Sequence, residues 1–542
     1  MLTDDDGETT EVVRTWTALP TFHGDGTVRG LAAHVVDTTA LARALADAEQ
    51  RCRELRGPAQ DAAAELRRAL LPSGVPVLSR LRTAVRFRPA EHPPAAGGDW
   101  FDALPLSDGR VALVVGQAAG TGAAAAAAGG QLRAVAVEGL AAGEDPATVL
   151  ARLDRFAAAT PAAKAATLCL AVLDPATGAL TAGSHAHPAP LVVTADGSTR
   201  FVAAEPGWPL GTGGPAAALV EDRLTPGELL LHTDGLVERP GRRIQDTLGA
   251  FARVASAAVR DPAGAGSALA DRIAAVVLDR LAYLESVPAG TGYHDDATLL
   301  VAHLRAPLAP LRLRFAVGPA ALAPMRRELA AWLDDAGVPA AAAACVAQAA
   351  GEAIANVAEH AYPPGADGWV ELRAQLTRAS EVRVTVRDGG TWRDPATGAA
   401  GRGRGMLLMR ELVDDVGVRS DAEGTTVTLT RRVERPAVPD DTPEPVAGPE
   451  DLSVEAGEGE LRVSGPVDLA TAGRLRSAVL AAGRGLTVDL TGVTHLASAG
   501  VHLLHELAAA DEEMRLVSPP DRPAHTVLRL TGLATRVVPP TP

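Results

Sequence analysis

Apolar and polar positions change rhythm several times along the chain, and each change predicts a different element. Residues 11–37 end in "HGDGTVRGLAAHVVD", a glycine turn followed by a strand. From about Thr38 to Leu71 the apolar positions Leu41, Leu45, Leu55, Leu66 and Leu70 are spaced for one helix face. Gly57 and Pro58 predict a kink or a division into two helices, and Pro72 ends the pattern. From Val75 to about Arg305 short apolar strands dominate, joined by alanine-rich helices. "LRLRFAV" at Leu311 opens a further unit, which passes through helices and closes on the strand "GTTVTLTRRV". Residues 435–450, "RPAVPDDTPEPVAGPE", are proline-rich, acidic and without periodicity, the composition of a linker. The remaining residues alternate short strands and helices, an α/β pattern.

Length and composition narrow the reading. A chain of 542 residues has room for about three or four domains of ~150 residues each. Hydrophobic residues make up 47%, enough for real cores, although alanine supplies much of that share. The net charge is −15 and no basic cluster stands out, so nucleic acid is not an expected partner. Lys164 is the only lysine, which rules out a P-loop; any ATP site must work another way. Cys52, Cys169 and Cys345 are few and scattered, which argues for a reducing compartment and against a disulfide or zinc framework. The acidic start "MLTDDDGETTEVV" is not a signal peptide, and no apolar run approaches the ~18 residues of a membrane span. The expectation is a cytoplasmic protein without a membrane partner.

Between residues 97 and 296 stand "GGDWFD", "VVGQAAGTGAAAA", "LHTDGLVE" and "HDDATLLVA". Asp99, Asp234 and the pair Asp295 and Asp296 fall at strand ends beside glycine or another small residue. Any one of them is an ordinary turn former. Together they are convergent carboxylates, which suit hard divalent cations such as Mg²⁺ or Mn²⁺. Two such ions can activate a water for in-line attack on a phosphoester. With "LRRALLP" and "RFRPA" in front, six motifs stand in order over about residues 66–303. The series resembles the PPM-type (protein phosphatase 2C) serine/threonine phosphatases, most closely the bacterial subgroup that controls sporulation and stress sigma factors. The resemblance implies an α/β sandwich in which Asp99, Asp234 and Asp295 ligate Mn²⁺ or Mg²⁺ and Asp296 supports the last. It also marks a departure. The family's second motif is Gly-Asp-x-x-Gly-x-Gly, whose Asp bridges two metal ions, and this chain has Gln117 there. An amide brings no charge where a bridging ligand must screen two dications. The expectation is weakened binding of at least one metal and an impaired phosphatase, with Mn²⁺-dependent turnover as the alternative.

In "AAGEAIANVAEHAY", Glu352 and Asn356 are four apart on a predicted helix and face the same way. "VTVRDGGTW" sets Asp388 after a strand at a glycine turn, "GRGRGMLLMRELVDDV" is a glycine loop entering a helix, and "GTTVTL" closes the unit. This order resembles the GHKL-type (Bergerat α/β sandwich) ATPases, most closely the anti-sigma-factor serine kinases, over about residues 311–433. The resemblance implies that Asn356 holds Mg²⁺ on the phosphates of ATP and that Asp388 accepts from the adenine amino group. Gly390 and Thr425 would complete the nucleotide site, and Gly401, Gly403 and Gly405 would form the lid. Glu352 would be the general base toward a substrate serine. His360 is expected to be a packing residue rather than a catalyst.

"LRVSGPVDLATAGRLRSAVL", "LTVDLTGVTHLASAGVHLLHEL" and "HTVLRLTGL" resemble STAS domains, the anti-sigma-factor antagonists. Ser498 aligns with the serine that their partner kinases phosphorylate, at a predicted helix start that favours a phosphate. The family has Asp immediately before that serine, where this chain has Ala497, so a plain helix N-cap is the competing role. "GDGTVRGLAAHVVDTTALARALADAE" looks like the tail of a PAS sensor leading into a signalling helix.

The expected organisation is a multidomain α/β and α+β chain. It holds a PAS-like remnant (1–37), a helical signalling linker (38–72), a phosphatase domain (73–305), an ATPase domain (306–434), a linker (435–450) and a STAS domain (451–542). The expected function is a cytosolic partner-switching regulator whose partners are ATP, STAS antagonist proteins and an anti-sigma or sigma factor, with pairing of two chains as a further expectation. The alternative is a non-catalytic scaffold that sequesters an anti-sigma or sigma factor. A two-component histidine kinase is disfavoured, because no phosphoacceptor histidine box precedes the ATP module.

Overall fold

The computed structural model describes residues 2–3, 9–10, 14–22, 28–37, 69–88, 97–202, 205–215, 217–238, 243–261, 269–283, 296–318, 322–363, 366–390, 404–437, 452–457, 459–467, 471–496, 498–519, 523–530, 533 and 536–538. Near the start, strands Arg14–Phe22 and Val28–Asp37 form an antiparallel hairpin. Most of the expected signalling helix lies outside the described residues.

The first large unit is two five-stranded antiparallel sheets packed face to face. One runs in the order Val220–Arg223, Ala179–His185, Thr167–Leu173, Val111–Thr121, Gly97–Pro105. The other runs Thr199–Phe201, Leu191–Thr194, Gly227–His232, Ala297–Leu304, Leu81–Arg88. Helices Ala123–Ala141 and Pro146–Ala159 lie against the first sheet's side of the core, and Ile244–Arg260 and Leu269–Tyr283 cover the second. Strands buried on both faces read as unbroken apolar runs, as in "TLCLAVL", where six of seven positions are buried. Asp145 starts the helix Pro146–Ala159 as an N-cap: its carboxylate accepts from the Thr148 N–H at 3.0 Å, and proline fills the first turn.

The second unit has one antiparallel sheet in the order Leu311–Ala316, Trp369–Leu376, Glu381–Asp388, Gly424–Arg432, Asp415–Asp421. Alternation is strict: Val382, Val384 and Val386 are buried toward helices Leu322–Ala336 and Ala340–Asn356, while Arg383, Thr385 and Arg387 face the other way. The apolar helix continues as a π-turn, Val357–Ala361. Over residues 340–361 it does reach the length and hydropathy of a membrane span, contrary to the sequence expectation. Alanine produces that score; half of the window is buried against the unit's own core, and Gln348, Glu352 and Asn356 recur along one face.

The last unit is a five-stranded sheet, Ser453–Ala456, Glu460–Val467, Thr487–Leu496, Arg515–Val517, Val537–Val538, antiparallel at the first pair and parallel after it. Its crossovers carry helices Ala472–Ala482, Ser498–Ala510 and Pro523–Leu530.

Two seams join the units. At the first, Glu434–Pro436 pairs antiparallel with Gly74–Pro76, so the opening residues of the stretch expected as linker form a strand instead. Pro436 is tolerated because a two-stranded ribbon is all edge. Beside it, Ser380 Oγ accepts from the buried Val77 N–H at 2.8 Å and donates to the Val433 carbonyl at 2.5 Å. Those bonds hold Ser380 at φ 61°, a left-handed conformation that costs energy in a residue with a Cβ. Arg82 and Arg305 both donate to the Asp335 carbonyl, at 2.9 and 2.8 Å, and Arg435 pairs with Asp271. At the second seam a single apolar core runs from the second unit, through Ala349, Ala353 and Met409, into the last, through Leu496, Leu504 and Leu528. The buried Gln348 side chain donates from Nε2 to the Leu496 carbonyl and accepts from the Leu496 N–H at 3.3 Å.

Candidate active sites

At one end of the first unit, between its two sheets, strand ends gather the acidic residues. Asp99 is the third residue of Gly97–Pro105 and lies opposite Gln117 in the ladder. Its Oδ2 accepts from Thr233 Oγ1 and Thr298 Oγ1, both at 2.8 Å, and Thr233 Oγ1 in turn accepts from the Thr298 N–H at 2.9 Å. Asp99 Oδ1 is buried with no hydrogen-bond partner among the described residues. Burial raises the Asp99 pKa well above the carboxylate range, the charge of Asp296 raises it further, and the threonine hydroxyls and a smaller push from Asp234 modify the result. Such a field is what a bound cation relieves.

Asp296 is buried immediately before strand Ala297–Leu304, and Asp234 opens the turn Asp234–Leu236 after Gly227–His232. Both glycines of "GGD" are sterically required. A Cβ on Gly97 would lie 1.8 Å from Asp296 Oδ2, and one on Gly98 would lie 2.2 Å from the Ala118 carbonyl. Gln117 is half-buried beside Asp99, its neighbour on the other side being Thr167. Asp295 lies outside the described residues. Among the described residues no three His, Cys, Asp or Glu side chains converge as a ready ligand set.

Sequence reasoning missed Thr233 and Thr298, which hold Asp99, and the histidines beneath. His187 Nδ1 meets Thr167 Oγ1 at 2.8 Å, and His232 stacks edge-on against Phe251 with ring centroids 4.7 Å apart. Burial lowers both, to about 3 for His187, where nearby His232 adds to the effect, and to about 4 for His232, so both rings are neutral at physiological pH.

In the second unit Asn356 lines a cleft at the end of the helix Ala340–Asn356, and Glu352 is buried one turn earlier on the same face. Asp388, Thr425 and Val427 also line the cleft, with His360 exposed at its rim beside Glu359 rather than packed inside. A π-turn at this helix end is a common mark of a functional site. Asp388 is buried at the end of its strand; Oδ1 accepts from the Gly390 N–H at 2.8 Å. Burial raises its pKa, against the pull of backbone hydrogen bonds from Gly390 and Thr425. Gly424, at φ 131°, passes so close that a Cβ would stand 1.9 Å from the Asp388 carbonyl. Gly390 is equally confined: a Cβ there would lie 2.1 Å from the Ala361 carbonyl oxygen. Gly405 lies over the helix face, where an added Cβ would come 3.1 Å from Glu352 Oε2 and 3.5 Å from Asn356 Oδ1. The structure therefore brings together Glu352, Asn356, Asp388, Gly390, Gly405 and Thr425. Gly401 and Gly403 lie outside the described residues. Ser498 is the first residue of the helix Ser498–Ala510, two positions beyond Leu496 and its Gln348 contact.

Comparison with known proteins agrees with this division. The family model for stage II sporulation protein E (SpoIIE) matches residues 107–305, beginning after Asp99. A histidine kinase-like ATPase domain matches 315–431, and the Mlab STAS domain matches 451–539. The crystal structure of the RsbU and RsbW domains of a Mycobacterium tuberculosis protein is 35% identical, with a TM-score of 0.59, covering 67% of this chain and 98% of that one. The SiaA-PP2C domain of Pseudomonas aeruginosa is 20% identical, with a TM-score of 0.37, covering 47% of this chain and 98% of its own. The PP2C phosphatase domain and a regulatory fragment of SpoIIE from Bacillus subtilis are 16% identical, with a TM-score of 0.35, over 42% of this chain and 65% of theirs. The chain belongs to the family of partner-switching regulators that join an RsbU-like, SpoIIE-type phosphatase domain to an RsbW-like ATPase domain, here followed by a STAS domain.

Proposed function

We propose that the ATPase unit is a serine kinase acting on the chain's own STAS unit at Ser498, and that the phosphatase unit addresses phosphoserine in STAS-type antagonist proteins that control an anti-sigma or sigma factor in the cytoplasm. One observation supports the kinase reading above the others. Gln348 binds the Leu496 backbone from the same helix face that carries Glu352 and Asn356, four and eight residues on. In this reading Glu352 takes the proton from Ser498 Oγ, the Oγ–Pγ bond forms, and the bond from Pγ to the bridging oxygen breaks to release ADP. Asn356 would hold Mg²⁺ against the phosphates, Asp388 would accept from the adenine amino group, and Gly390, Thr425 and the lid glycines Gly401, Gly403 and Gly405 would enclose the nucleotide.

In the phosphatase unit Asp99, Asp234, Asp295 and Asp296 are the residues that would hold Mn²⁺ or Mg²⁺; the all-oxygen donor set and the buried, unpaired Asp99 Oδ1 suit a hard cation. Bound there, the ion supplies an activated water and charge neutralisation for the phosphoryl group. Thr233 and Thr298 fix the orientation of Asp99. Gln117, with no charge to offer, favours a second reading of this unit alone, a pseudophosphatase that binds phosphorylated partners without turnover.

Incubation of the full chain with ATP and Mg²⁺, followed by phosphosite mapping, tests the kinase reading. Phosphate on Ser498 that disappears in Glu352→Gln and Ser498→Ala is the expected result. ATP bound with no phosphate on Ser498 overturns it and leaves the STAS unit as a binding decoy.

A further inference from the structure

The contact between Gln348 and Leu496 is unusual in kind. Gln348 sits in an alanine-rich helix and is buried, 1% exposed, where an apolar residue is the cheaper choice. Its side-chain amide offers one donor and one acceptor to the carbonyl and N–H of a single residue, which is how neighbouring strands bind one another. Leu496 is the last residue of Thr487–Leu496, and the adjacent strand Arg515–Val517 accompanies that strand only from Thr487 to Asp489. The backbone at the far end is thus met by a side chain from another unit. Four residues on, Glu352 lies about 6 Å further along the helix axis on the same face. Two residues on from Leu496, Ser498 begins its helix.

We propose that Gln348 is a positioning residue. Its amide stands in for one peptide group of a missing strand, latches the STAS unit by its backbone, and sets the register of Ser498 against the Glu352 face. Because it reads N–H and C=O rather than a side chain, the latch recognises a strand end ahead of the phosphoacceptor helix whatever residue stands at 496. This deepens the kinase reading above and rests on it for the identity of the transfer step, but not for the docking itself.

The test uses the full chain and three variants. Gln348→Ala removes both bonds. The expected results are a Leu496 amide that exchanges with solvent about tenfold faster, the factor a lost buried hydrogen bond is worth, and a Ser498 phosphorylation rate lower by a similar factor, with ATP affinity unchanged. Gln348→Asn, one methylene short, behaves like alanine. Gln348→Glu separates positioning from mere structural support. As a carboxylate it can accept from the Leu496 N–H but repels the carbonyl; protonated, it regains one donor and one acceptor. Its Ser498 phosphorylation, normalised to wild type at each pH, therefore recovers as pH falls, whereas that of the alanine variant does not. Unchanged Leu496 exchange in Gln348→Ala, or a Gln348→Glu profile parallel to wild type, overturns the latch. If wild type places no phosphate on Ser498, the kinase reading fails, and the exchange measurement alone decides the latch.

Discussion

Replacing Asp388 with asparagine keeps the shape of the side chain and changes one thing, the hydrogen-bonding character of its second atom. Oδ1 accepts from the Gly390 N–H at 2.8 Å and can do so as an amide oxygen too, so the turn stays closed. The other position becomes an NH₂ donor, which meets the donor of an adenine amino group head on. The loss is that of a hydrogen bond to a charged acceptor, about 1.5–3 kcal/mol, or roughly ten- to 150-fold in ATP affinity. Calorimetric titration of the full chain with ATP measures it. The pH dependence adds a second signature. Burial raises the Asp388 pKa, so the folded protein holds its proton above the ordinary carboxylate value of about 3.9. The raised pKa means that Asp388 contributes stability below the unfolded value, and that this contribution fades as pH rises through the folded pKa. ATP affinity moves the opposite way, rising over that window as the carboxylate forms, and the asparagine variant loses this rise. An affinity within twofold of wild type, or an unchanged pH profile, would refute the assignment of Asp388 to the adenine.

Two further outcomes follow from the other sites. Gln117→Asp restores a charge beside Asp99 in the ladder; Mn²⁺ calorimetry on the full chain is expected to show at most one tight ion in wild type and a second in the variant, with phosphoserine hydrolysis rising in step, and two tight ions in wild type would sink the idea. Ser380→Ala strands the buried Val77 N–H and the Val433 carbonyl, a cost of about 2–6 kcal/mol for the two groups together, read as faster exchange at the Val77 amide and a lower urea midpoint; a change within about 0.5 kcal/mol means water replaces the hydroxyl.

The acids proposed as metal ligands were legible because Asp99, Asp234 and Asp296 stand beside small residues at strand ends. The glycines of "GGD" carry a steric reason visible only in the structure, the close approach of Asp296 and of the Ala118 carbonyl. Thr233 and Thr298 were not legible, since threonine at a strand end is ordinary β composition and only the fold brings two such ends onto Asp99. In the ATPase unit Glu352 and Asn356 announced themselves by spacing, whereas Gln348 read as a neutral polar position in an alanine helix. Its role depends on a partner 148 residues away. The ribbon at residues 434–436 was hidden for the same reason: its partner strand lies near residue 75, and proline-rich composition pointed to a linker.

That ribbon also has an architectural consequence. It hydrogen-bonds the strand that enters the phosphatase to the strand that leaves the ATPase, so the two-unit body begins and ends at one point on its surface. Ser73 Oγ, 2.9 Å from Glu434 Oε2, marks how close the two ends come. Bodies with adjacent ends tolerate insertion into a host loop and circular permutation, because neither operation has to stretch the chain. The phosphatase and ATPase thus have the adjacent ends of a single cassette, while the apolar core that the ATPase shares with the STAS unit makes that unit the part least freely exchanged.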